Sequence, residues 1–147
     1  MMKKIASCNV FFRKKDILVA SSARTTAGFE IITDPVFKLE RSQSAQAIGQ
    51  VVLESMNAYR IDVPPPGPDM NSMPNPLLDI AGCRSWTQLD KSSINVMVNR
   101  YPDFVVAVPT QRDVGGGAKH LNEIAIECEA TVEKVGEAVL KAAALSS

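Results

Sequence analysis

The chain has 147 residues, 46% hydrophobic and 22% charged, and its cationic and acidic side chains cancel to a formal net charge of zero. This length and composition support one domain with a real core and exclude a disordered or coiled-coil chain. Without a basic excess the chain does not fit a generic nucleic-acid binder, whose affinity rests on neutralising phosphates, so no direct nucleic-acid contact is expected.

At the N-terminus Lys3-Lys4 and then Ile5 to Cys8 carry too short an apolar segment for a signal region, and Arg13-Lys14-Lys15 follow closely. No run reaches membrane-spanning length. The expectation is a protein without export or a membrane anchor, placed in the cytoplasm. Cys8, Cys83 and Cys128 are odd in number, far apart and without metal-ligand spacing, which fits reduced thiols and no metal.

Asn9 to Phe12 is an apolar patch that reads as an edge strand or a cap over the core. Ile17 to Ala20 suits a short buried strand, and the small polar run Ser21 to Gly28 reads as a loop. Phe29 to Ile32 and Val36 to Leu39 read as strands, separated by a turn at Asp34-Pro35. From Ser44 the period becomes helical: Ala45, Ile48, Val52 and Met56 make one stripe, with Ser42 or Ser44 as cap. Gly49 inside this helix costs about 1 kcal/mol against Ala, a cost that close backbone packing against a sheet would explain.

Asp62 to Pro76 holds six prolines and reads as a linker that extends or turns across an edge of the fold. Pro76 to Ala81 reads as a short helix stopped by Gly82. Ser85 caps another that begins at Trp86. Ser93 to Val98 and Phe104 to Val108 flank a turn at Tyr101-Pro102-Asp103 and form a hairpin. Pro109 to Asn122 is a polar excursion, Ile124 to Cys128 a strand, and the last helix runs from Thr131 toward Leu145.

Two stretches say nearly the same thing. Residues 17–57 and 104–144 each run strand, loop, strand, helix, at one constant offset, and Ile48-Gly49-Gln50-Val51-Val52-Leu53 answers Val135-Gly136-Glu137-Ala138-Val139-Leu140. The expected fold class is α+β: a single domain over 1–147, with a mixed β-sheet packed by two main helices. It is built from two similar strand-strand-helix units joined by the Pro-rich linker 62–76. Strand order is open.

No catalytic set is duplicated with the repeat. Gly115-Gly116-Gly117 leads into Ala118-Lys119-His120, which is neither a phosphate loop nor a dinucleotide fingerprint. His120 is the sole histidine. It lacks a nucleophile motif and standard zinc spacing with Asp113 and Glu123, so no cofactor is expected. Partner binding suits the residues better. The two equivalent loops offer Arg24 and Glu30, and Arg112, Asp113, His120 and Glu123, as side chains projected from buried strands. Arg84 with Trp86 could anchor an interface, against core packing for Trp86 and an internal salt bridge for Arg24. Glu123, Glu127, Glu129, Glu133 and Glu137 gather acid near the end, while Lys3, Lys4, Arg13, Lys14 and Lys15 make the start basic. Such an acidic face could steer a basic partner or stand in for phosphate in a nuclease cleft.

Ser22 to Phe29, Thr33 to Phe37, Gly82 to Trp86, Val108 to Arg112 and Val135 to Leu140 resemble the pattern of a bacterial immunity family serving contact-dependent growth inhibition systems. The resemblance spans almost the whole chain. It implies a small cytoplasmic protein, not an enzyme, that binds and neutralises the C-terminal toxin domain of a large secreted inhibition protein. Toxins of that kind are commonly nucleases. Two other readings stand beside it: a small hydrolase or transferase using the Gly115 to His120 loop, and a structural subunit in which an open sheet edge gives self-association.

Overall fold

The computed structural model describes residues 3–65, 75–113 and 118–147. Its strands, in chain order, are β1 (Ala6–Phe12), β2 (Asp16–Thr25), β3 (Glu30–Glu40), β4 (Arg60–Val63), β5 (Ile94–Arg100), β6 (Val105–Val108), β7 (Thr110–Arg112), β8 (Ala118–His120) and β9 (Ile126–Cys128). The helices are α1 (Ala45–Asn57), α2 (Pro76–Ala81), α3 (Trp86–Ser92) and α4 (Val132–Ala144). The main sheet runs β3-β2-β1-β5-β6-β9 with antiparallel neighbours, and β4 adds a short parallel pairing to β2. The class is α+β, one domain, with strand-strand-helix runs β2-β3-α1 and β6-β9-α4.

β1 is not an edge or a cap. It pairs with β2 on one side and β5 on the other. Its alternate residues Ala6, Cys8, Val10 and Phe12 join the larger core under α1 and α4, while Phe11 joins a smaller core under α2 and α3. A strand covered on both faces needs a continuous apolar run rather than alternation, which is what Val10-Phe11-Phe12 supplies. β2 divides the same way: Ile17 and Val19 point to the larger core, Leu18 and Ala20 to the smaller.

The expected loop from Ser21 is largely strand. β2 continues to Thr25, with Ser21, Ser22 and Thr25 buried. The burial of Ser21 and Thr25 is tolerated because their hydroxyls are paired. Ser21 Oγ donates to the Ser55 carbonyl at 3.0 Å and lies 2.9 Å from the Ser55 hydroxyl on α1. Thr25 Oγ1 donates to the Phe29 carbonyl at 3.0 Å. The two strands expected around Asp34-Pro35 are one strand, β3. Its register passes from Ala20↔Val36 to Ser21↔Thr33, so Asp34 and Pro35 form a bulge rather than a turn.

Local signals set the helix ends. Ser44, Ser85 and Thr131 are the N-caps of α1, α3 and α4, each accepting from a backbone N–H three residues on. Gly82 closes α2 at φ 70°, a left-handed conformation that costs glycine least. The interior glycines pack against helix, not sheet. A Cβ at Gly49 would sit 1.8 Å from the Val132 carbonyl oxygen of α4, and a Cβ at Gly136 would sit 1.7 Å from the Ala45 carbonyl oxygen of α1. Each glycine receives the first turn of the opposite helix, a reciprocal crossing that only a missing side chain permits.

Two expected regions change at their ends. The linker 62–76 begins inside β4, and its central residues 66–74 lie outside the described residues. The polar excursion after Pro109 contains the β7–β8 hairpin, and a 3-10 turn at Asn122–Ile124 delays the last strand to Ile126.

Candidate functional site

The residues singled out for partner binding fall in three places. Arg24 and Glu30 face each other across β2 and β3, toward one margin of the sheet. Glu30 is half-buried and internally engaged: its carboxylate accepts from Lys4 Nζ and from Ser7 Oγ, the latter at 2.6 Å. It ties the N-terminal segment to the sheet. Arg24 is exposed and its guanidinium makes no hydrogen bond or ion pair among the described residues, so within them it does not brace its loop as an internal salt bridge would.

Arg84 and Trp86 stand at the start of α3, on the sheet face away from α1 and α4. Trp86 is half-buried against the cluster of Phe11, Leu18, Ala20, Leu77 and Leu89, so packing accounts for much of its surface. Arg84 is exposed, and its backbone N–H donates to Gln88 Oε1 at 2.7 Å.

The third group lies toward the opposite margin. Arg112 ends β7, and its Nη2 donates to the Ser93 carbonyl at 2.7 Å, which fixes the β7–β8 hairpin on the start of β5. Asp113 is exposed beyond it. His120 ends β8 opposite Thr110 and is exposed, next to Glu123 in a shallow groove of about 350 Å3 bordered by Lys119 and Ile124. Its ring makes no hydrogen bond among the described residues, and the Ser22 and Thr25 side chains are buried in β2. Glu133 is exposed in the first turn of α4, where the helix dipole favours it, and Glu137 is half-buried one turn on. Glu123, Glu127 and Glu129 are exposed at and around the edge strand β9, whose Ile126 and Cys128 face the core under α4. Gly115 to Gly117 lie outside the described residues.

Among the described residues no group of three or more His, Cys, Asp or Glu side chains is placed to hold a metal, and no helix is long and apolar enough to cross a membrane. The three cysteines are free thiols. Burial pushes the Cys8 thiol up to about 12, and burial with the Glu127 and Glu129 charges raises that of Cys128, so neither environment favours the thiolate.

One concavity had no sequence signal. An open cleft of about 520 Å3 lies between the N-terminal segment, the β2–β3 turn and β4. Lys3, Lys4, Ile5, Arg24, Tyr59, Ile61 and Asp62 are on its walls. Burial pushes the Tyr59 hydroxyl above its ordinary range, with Glu30 adding to the shift and Arg24 opposing it. Ile61 sits singly between Arg60 and Asp62, a pattern that predicts nothing without the partner strands.

No protein-family model matches the sequence, and no curated protein matches it. Solved structures do share the fold. A protein of unknown function from Neisseria meningitidis superposes with a TM-score of 0.76 at 11% identity, covering 97% of this chain and 95% of that one. A chain of the CdiA-CT/CdiI toxin and immunity complex from Yersinia pseudotuberculosis superposes with a TM-score of 0.75 at 13% identity, covering 100% of both chains. At these identities the likeness is one of fold, end to end.

Proposed function

We propose that this protein binds and neutralises the C-terminal toxin domain of a cognate contact-dependent growth inhibition protein, acting in the cytoplasm as an inhibitor rather than an enzyme. The observation that carries the reading is the full-length likeness to a chain of a toxin and immunity complex. His120 is exposed at the end of β8 and the Ser22 and Thr25 side chains are buried in β2, which gives no support to the hydrolase alternative. A nuclease is the toxin class proposed, because the exposed carboxylates of Glu123, Glu127, Glu129 and Glu133 offer the charge that a phosphate-binding cleft attracts.

The test is genetic and direct. The C-terminal domain of a candidate cognate inhibition protein, sought in the genes beside this one, is induced in cells with and without the protein. The expected outcome is growth arrest and RNA or DNA breakdown without it, and normal growth with it, accompanied by co-purification of the two chains. Arrest that persists despite full expression of the protein would overturn the reading.

A further inference from the structure

We infer that the cleft between the N-terminal segment, the β2–β3 turn and β4 is a docking surface for an acidic, apolar-tipped segment of the toxin domain. This rests on the toxin-binding reading and adds to it a surface and a chemistry. Three observations converge. First, apolar side chains collect there without cover: Ile5 is 51% and Ile61 64% exposed on the cleft walls, and Phe29 is 43% exposed at the adjoining turn. Single exposed aliphatics are ordinary, but a cluster around a concavity marks an interaction site.

Second, the charge on the walls leans positive. Among the described residues Lys3, Lys4 and Arg24 line the cleft with Asp62 as the one carboxylate. Lys4 is engaged by Glu30, which leaves Arg24 and Lys3 exposed at the rim. An arginine whose side chain has no partner among the described residues can take a carboxylate in two parallel hydrogen bonds. Third, Asp62 holds φ at 58°, the sole non-glycine residue in the left-handed region among those described. Such conformations collect at binding sites, where the surrounding structure holds them. Aliphatic walls with a cationic rim fit a protein segment that presents an apolar side chain beside carboxylates. A nucleic acid would match the cations but not Ile5 and Ile61.

The experiment measures binding of the toxin domain to the wild-type protein, to Ile61→Asp, to Arg24→Glu and to a control, Lys14→Glu, exposed in the β1–β2 turn at the other end of β2 from Arg24. All four are first compared by thermal melting; if Ile61→Asp melts early, Ile61→Ser replaces it. Losses of tenfold or more for the two cleft variants, with the control within twofold of wild type, are expected. Cleft variants that bind like wild type would sink the docking surface while leaving toxin binding intact. Absence of wild-type binding would remove both. Tight binding of a single-stranded RNA oligonucleotide to the protein alone, lost in Arg24→Glu, would overturn the inference in favour of a nucleic acid.

Discussion

Asp16 shows how one side chain organises a corner of this molecule. It is buried, and Arg13 meets both of its oxygens, Nε at 2.7 Å and Nη2 at 2.9 Å. The same guanidinium donates to the Ala81 carbonyl at 2.7 Å, so the β1–β2 turn is fastened to the end of α2. The Arg13 hydrogen bonds hold the Asp16 carboxyl below the usual carboxylate range, with Lys38 adding a smaller pull. A depressed folded-state value means that stability from this group is present above the ordinary Asp range and is lost as pH falls through the folded value. Asp16→Asn is therefore expected to destabilise the protein at neutral pH by roughly 1.5–3 kcal/mol, the worth of charge-assisted hydrogen bonds. The deficit should shrink toward zero in acid. Denaturant melts of both proteins from pH 7 down to pH 2 measure it, and a gap that stays constant with pH would contradict the assignment.

At the scale of elements, the crossing of α1 and α4 depends on what two positions lack. Gly49 and Gly136 each lie against the backbone of the other helix, so an added methyl must push the helices apart. Helix propensity alone favours Ala at such positions by about 1 kcal/mol. Overpacking opposes it by about 1–3 kcal/mol or more, and contacts this short decide the sign. Gly49→Ala and Gly136→Ala are both expected to lower stability. The double variant should lose less than the two losses added, because one separation of the helices relieves both clashes. Stabilisation by either single variant, measured by urea melts, would mean that the helices do not approach this closely.

At the scale of the whole molecule, β1 joins the two strand-strand-helix runs. It pairs with β2 over Cys8 to Phe12 and with β5 over Ala6 to Phe12, and its inward residues share one core with both α1 and α4. Neither half can close that core alone. A fragment ending at residue 65 would leave β1 with an open edge and α1 without α4. Fragments 1–65 and 66–147 are each expected to show no cooperative thermal transition, whereas the full chain melts in one. A sigmoidal far-UV melt from either fragment would argue for two independent units instead.

The sequence by itself determined the class of the fold, both long helices with a serine cap at 42 or 44 for the first and a start near Thr131 for the last, the β5–β6 hairpin and the arrest of α2 at Gly82. These signals act over a few residues: a cap reaches three positions along the chain and an apolar stripe repeats every turn. It also marked Gly49 and Gly136 as places of close approach. Only the tertiary structure decided that the approach is helix on helix, that Asn9 to Phe12 runs through the middle of the sheet, and that Ser21 to Thr25 is buried strand. The cleft around Ile61 was settled at that level too. A serine reads as loop until the carbonyl and hydroxyl that satisfy it, such as those of Ser55, are brought across from another element. An isolated isoleucine acquires meaning only when strands far apart in the chain place lysines and an arginine beside it. Those partners are set by pairing across the fold, and no local window of residues contains them.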